Sequence, residues 1–110
     1  GFFDIGDIRV QWGTFTCATG NLETVNMQYP FGSTPYTLIA MERSAGGWTG
    51  SGAANPMPTV YGTHKHPTDP ANKFLVSCVR VLNNAHAAAT GERTKFELAN
   101  GQWFGIGRKP

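Results

Sequence analysis

Two places in this chain gather residues suited to chemistry. From Arg43 to Pro58 it reads Arg-Ser-Ala-Gly-Gly-Trp-Thr-Gly-Ser-Gly-Ala-Ala-Asn-Pro-Met-Pro, sixteen residues without periodicity. Patternless loops of that length inside a small domain are usually functional or disordered. This one carries Trp48 and Asn55, with Arg43 at its start. An exposed indole stacks on the apolar face of a sugar ring while Arg, Asn and Ser groups bond its hydroxyls, the mixed lining expected of a ligand site. The plainer alternative is that Trp48 folds back as a lid on the core and Arg43 makes an ordinary surface ion pair. If Arg43 is instead a ligand contact, its planar fork suits an acidic sugar or a phosphate.

The second place is His64-Lys65-His66. Residues at i and i+2 of a strand share a face, so both imidazoles could address one metal ion. Two exposed histidines beside the turn at Pro67 are the bland alternative. In that case His64 and His66 remain contacts for a receptor beside Tyr61, with a charge that changes near neutral pH. Catalysis has less to draw on. No Gly-x-Ser-x-Gly, phosphate-binding glycine loop or His-Glu-x-x-His occurs. Asp4, Asp7, Asp69, Glu23, Glu42, Glu92 and Glu97 are scattered, and supply no more than the charge a soluble domain carries. No enzyme activity is expected.

The elements that must position these residues are strands. Phe74 to Leu82 is apolar in both alternating sets, as expected of a central strand covered on both faces. Asp7 to Ala18 alternates through Ile8, Val10 and Trp12, then changes phase at Gly13 to Phe15 and Cys17. That shift predicts a β-bulge bending one long strand between two sheets. Val25, Met27 and Tyr29 mark a second strand ended by Pro30, Tyr36 to Glu42 a third, and Thr59 to His66 a short polar one. Arg93 to Ala99 reads as a weak strand with Phe96 and Leu98 on one face, Asn100-Gly101 as a tight hairpin turn, and Gln102 to Arg108 as the last strand. Asn84 to Thr90 is too short for an independent helix and reads as a loop or a single turn. Six or seven strands so spaced make an antiparallel sandwich or small barrel.

Composition agrees with one all-β domain. The 110 residues include 14 Gly and 7 Pro, placed between apolar runs as turn punctuation. A net charge of +2 spread singly along the chain argues against nucleic acid, and no apolar window is long enough for a membrane span. Cys17 and Cys78 sit in strand runs, where two buried free thiols are favoured over one disulfide. A start at Gly1 without an initiator Met is expected of a fragment of something larger, with residues 1–6 the end of a preceding segment or linker. Lys109-Pro110 reads as a natural C-terminus. Trp12 and Trp103 belong to the core or a subunit interface.

Ile8-Arg9-Val10-Gln11-Trp12-Gly13-Thr14 at the start, Tyr29-Pro30-Phe31 with Ser33-Thr34-Pro35-Tyr36-Thr37 before the third strand, and Trp103-Phe104-Gly105-Ile106-Gly107-Arg108 at the end together form a pattern covering nearly the whole chain. It resembles the C-terminal receptor-binding tips of bacteriophage tail fibres and, through them, the H-type lectin fold. The resemblance implies a β-sandwich in a parallel homotrimer at the distal end of a virion fibre, made in the host cytoplasm. It also implies contact with a bacterial surface glycan or an outer-membrane protein. In such a trimer, His64 and His66 from each copy would offer six nitrogens to a metal on the axis. The Gly-rich segments around Trp48 and Ala87 are longer than the lectin pattern has, so no particular sugar site carries over.

Overall fold

A computed structural model describes residues 1–17, 22–32, 36–43, 56–82, 88–95 and 99–110, without the side chains of 56–58 and 95. The chain is all-β. Eight strands run in the order β1 (Phe2–Ile5), β2 (Ile8–Cys17), β3 (Glu23–Asn26), β4 (Thr37–Glu42), β5 (Pro56–Lys65), β6 (Lys73–Leu82), β7 (Thr94–Lys95) and β8 (Ala99–Arg108). They form two antiparallel sheets, one ordered β1-β2-β8-β4 and the other β3-β6-β5, with β7 also paired to β6. Ala88 to Thr90 are helical, and 84–87 of the segment expected to be a loop or a single turn lie outside the described residues.

The core lies between the sheets. β6 is the central strand of the second sheet, and Phe74, Val76, Cys78, Arg80 and Leu82 on its inner side are buried, whereas Leu75, Ser77, Val79 and Val81 behind them are half-exposed. Its apolar outer set thus covers one face only partly. Opposite it, β2 contributes Phe15 and Cys17, and β8 contributes Ala99 and Trp103. The rings of Phe74 and Trp103 meet edge to face at 5.3 Å, an arrangement aromatic quadrupoles favour. Cys17 and Cys78 are buried free thiols.

β2 has no bulge at Gly13. Its pairing with β8 runs unbroken from Ile8↔Arg108 to Cys17↔Ala99, so the apparent phase change has another cause. Arg9, Gln11, Gly13, Phe15 and Cys17 share the inner face, and Ile8, Val10 and Trp12 point outward. Gly13 is small because the Trp103 indole occupies its place: a β-carbon there would lie 2.7 Å from Trp103 Nε1. Gln11 is tolerated at 1% exposure because its Nε2 donates to the Tyr29 carbonyl at 2.8 Å.

Asn100-Gly101 is likewise not a turn. β8 passes straight through it, with Asn100 opposite Thr16 and Gly101 between Phe15 and Glu42. Gly101 leaves room for the Phe15 ring, which a β-carbon would strike. Of the weak strand expected at 93–99, Thr94 and Lys95 form β7 and Ala99 begins β8, and 96–98, with Phe96 and Leu98, lie outside the described residues. β5 starts at Pro56, inside the expected loop, with a register irregularity before Thr59. The segment 1–6, expected to be the end of a preceding segment or a linker, contributes β1, whose Phe3↔Val10 and Ile5↔Ile8 pairs extend the first sheet.

The segment Tyr29 to Gly32 ties the two sheets together. Its carbonyls accept from Gln11 and, at Pro30, from Arg9 Nη1 at 2.8 Å; Phe31 N–H donates to Ala71 at 3.0 Å and Gly32 N–H to Arg108 at 2.7 Å. Phe31 is buried and stacks on Tyr36 at 4.5 Å, whose hydroxyl donates to the Pro70 carbonyl. Four of the Tyr-Pro-Phe segment's interactions are therefore structural.

Candidate functional site

At one end of the sandwich a polar rim surrounds the departure of the long connection between β4 and β5. Arg43 leaves β4 beside the start of β8, its N–H donating to the Asn100 carbonyl at 3.2 Å, and its side chain is exposed. Across from it, Tyr61 of β5 reaches over from the second sheet, and its hydroxyl donates to Glu42 Oε2 at 3.0 Å. Its ring meets Phe15 edge-on at 5.6 Å. Thr16 Oγ1 donates to Asn100 Oδ1 at 3.1 Å, both on the exposed side.

Burial pushes the Tyr61 hydroxyl well above the usual tyrosine range, and the Glu42 hydrogen bond and charge push it further. Tyr61 is therefore a fixed donor that holds the Glu42 carboxylate at the rim. The Glu42 and Arg43 side chains, the Asn100 amide and the Thr16 hydroxyl offer donors and acceptors suited to a hydroxyl-rich or acidic ligand. Groups of this kind suit hydrogen bonding to such a ligand.

Of the six residues expected to contact a receptor, the four that are described, Arg43, Tyr61, His64 and His66, do not form one cluster. Arg43 and Tyr61 belong to this rim, with Tyr61 half-buried and anchored. Trp48 and Asn55 lie outside the described residues. His64 sits further along β5 on the opposite face from Tyr61: it pairs with Leu75, and its Nε2 is 3.3 Å from Ser77 Oγ on the outer side of the second sheet. His66 lies beyond the end of β5, where its Nδ1 accepts from the N–H groups of Thr68 at 3.3 Å and Asp69 at 3.0 Å.

That turn fixes the tautomer of a neutral His66. With Nδ1 accepting, the proton is on Nε2, so neither nitrogen is free as a metal ligand while the turn holds. Among the described residues no three His, Cys, Asp or Glu side chains come together as a metal-binding group.

Glu42, Asn100 and Thr16 were not singled out by sequence. Glu42 sat at a strand end with no partner in view, and Asn100 carried the stronger signal of a turn. The i to j hydrogen bonds that assemble the rim span 19 and 84 residues, separations at which spacing carries no information.

No protein-family model, no curated protein and no solved structure matches this chain.

Proposed function

We propose that this chain is the receptor-binding tip of a phage or phage-derived tail fibre, adsorbing to a bacterial surface polysaccharide or lipopolysaccharide without cleaving it. It acts as a parallel homotrimer of H-type-lectin-like subunits on the virion. Support comes from the sequence resemblance at Ile8 to Thr14, Tyr29 to Thr37 and Trp103 to Arg108, and from the two antiparallel sheets, the architecture that resemblance implies.

The observation that carries the binding part is the rim. Arg43, Glu42 and Asn100 stand where the connection bearing Trp48 and Asn55 leaves β4, placing polar recognition groups next to an aromatic one in sequence. His64, exposed on the second sheet, serves as a separate contact. One such site is weak, and three linked copies raise avidity by about two to four orders of magnitude without tighter contacts.

The test is alanine replacement of Arg43, Trp48 and Asn55 together, followed by binding to cells and sizing in solution. Loss of binding with unchanged subunit number supports recognition at this end. Unchanged binding removes the site. Incubation with purified polysaccharide produces no new reducing ends if the domain only binds. The second reading, a structural cap that registers the fibre while another part finds the receptor, is favoured by the apolar outer face of the first sheet.

A further inference from the structure

The outer face of the β1-β2-β8-β4 sheet is apolar over the part spanned by Ile8 to Trp12, where a sandwich surface is normally polar, and turns polar beyond it at Thr14, Gln102, Thr16 and Asn100. Register places its side chains in rows. Phe3, Val10 and Ile106 form one row; Trp12, Phe104 and Ile39 form the next. Ile5 and Ile8 pair at the corner beyond them. The Trp12 ring lies 6.0 Å from Phe3 and 6.5 Å from Phe104, so an aromatic cluster is assembled in the surface itself.

We infer that this face is the interface between copies of this chain. Area favours an extended partner. Phe3, Ile5, Ile8, Trp12, Ile39, Phe104 and Ile106 are 39% to 67% exposed. At about 200 Å² per large side chain they leave roughly 700 Å² of apolar surface in one patch. The largest patch on a typical monomer covers roughly 300–600 Å², and each side of a standard interface about 800 Å².

Charge favours a second copy. The two rows hold no ionisable side chain: Asp4 and Arg9 of the same strands turn to the other face and bind each other, Arg9 Nε to Asp4 Oδ1 at 2.9 Å, and Arg108 lies at the corner beside Ile8. Apart from the Gly1 ammonium, which donates to the Trp12 carbonyl at 2.9 Å at the end of its row, these rows carry no charge and meet their own copy without burying like-charged side chains.

Strand composition favours it too. On their outer faces β2 and β8 bring Ile8, Val10, Trp12, Phe104 and Ile106 together, apolar side chains of the kind a strand carries where that face is covered, and Ile8, Trp12, Phe104 and Ile106 stay exposed in one chain. The radius of gyration is 16.2 Å with a least extent of 17 Å, against about 13 Å for a compact domain near this length. One subunit is a slab, and stacking this face on other copies supplies the missing layer.

The inference goes beyond the glycan reading and does not depend on it, because the experiment contains no glycan. The 110-residue chain is sized by sedimentation and light scattering, beside I106K and V60K. Val60 is also exposed, at 52%, but on the other sheet. The expected result is an assembly of 11.9 kDa chains that V60K retains and I106K weakens at least 100-fold. Three copies fit the fibre-tip proposal as well; two copies keep this interface and remove the trimer.

A monomeric wild type at 100 µM, or an I106K chain that assembles as well as wild type, overturns the inference. Should I106K fail to fold, dilution of the unaltered chain still decides: dissociation exposes Trp12, so tryptophan emission shifts to the red, and W12F loses that shift. A concentration-independent emission spectrum overturns the inference equally.

Discussion

The indole of Trp103 fills the space that a side chain at Gly13 would need, one strand away in the same sheet. Trp103 is 3% exposed, held from the far side by Phe74, so it has nowhere to retreat. Gly13→Val is expected to destabilise the fold by about 1–3 kcal/mol, the usual cost of overpacking. Urea denaturation measures it. A bulge glycine on an exposed bend would tolerate the change far better, so a neutral result contradicts the continuous register.

Gln11 is the second pressure point in that strand. Gln11→Ala leaves the Tyr29 carbonyl without its donor and opens a void, for an expected loss of about 1–3 kcal/mol. The same denaturation series reports it. Full stability in the variant would mean that water or another donor replaces the amide.

High pH should weaken the fold. Burial pushes the Cys78 thiol up to about 12, with the Cys17 hydrogen bond adding to it, and burial likewise raises the Tyr61 hydroxyl. In the unfolded chain the thiol ionises near 9, so above that pH the unfolded state binds fewer protons than the folded one. Stability is then lost as pH climbs from about 9 to about 12. Denaturation midpoints at pH 8, 10 and 11 should fall in that order, and Cys78→Ala should flatten the decline. Native protein at pH 8 should leave the Cys78 thiol unmodified by a thiol reagent, because the thiolate is the reactive form.

Acid should loosen β1. The Arg9 hydrogen bond, together with its charge, holds the Asp4 carboxyl below the usual carboxylate range despite an opposing desolvation effect. The ion pair therefore supports folding above the ordinary Asp value and loses that contribution as pH falls through the lower folded value. Amide protection at Phe3 and Ile5, relative to the intrinsic exchange rate at the same pH, should fall at low pH, and in Asp4→Asn already at pH 7. Equal protection in Asp4→Asn would show that the Phe2–Tyr29 ring contact at 3.9 Å suffices.

Much of the fold was legible because hydrophobic alternation survives wherever a strand buries one face: β4 and β6, and the all-β class, follow from it. The misreadings at Gly13 and Asn100-Gly101 share one cause. A glycine that yields space to a facing aromatic and a glycine that permits a bend or turn look identical in sequence, and only Trp103 and Phe15 across the sheet decide between them. Ile8, Val10 and Trp12 misled for the complementary reason, since an apolar outer face has the periodicity of a core. Of the candidate site, Arg43 and Tyr61 were found but not their link through Glu42 and Asn100, which long-range pairing creates. The His64–His66 spacing implies a shared face only on a continuing strand; β5 ends at Lys65, and His66 Nδ1 is taken up by the N–H groups of Thr68 and Asp69.

Binding to cells tests the central proposal most directly. The fluorescently labelled 110-residue chain is applied to a panel of Gram-negative strains, each beside a matched mutant lacking O-antigen or capsule, with the Arg43, Trp48 and Asn55 triple alanine variant as control. The expected result is strain-specific staining that disappears both with the polysaccharide and with the variant. Staining that persists on the polysaccharide-deficient cells, or none on any strain from a properly assembled protein, would contradict a glycan-reading tip.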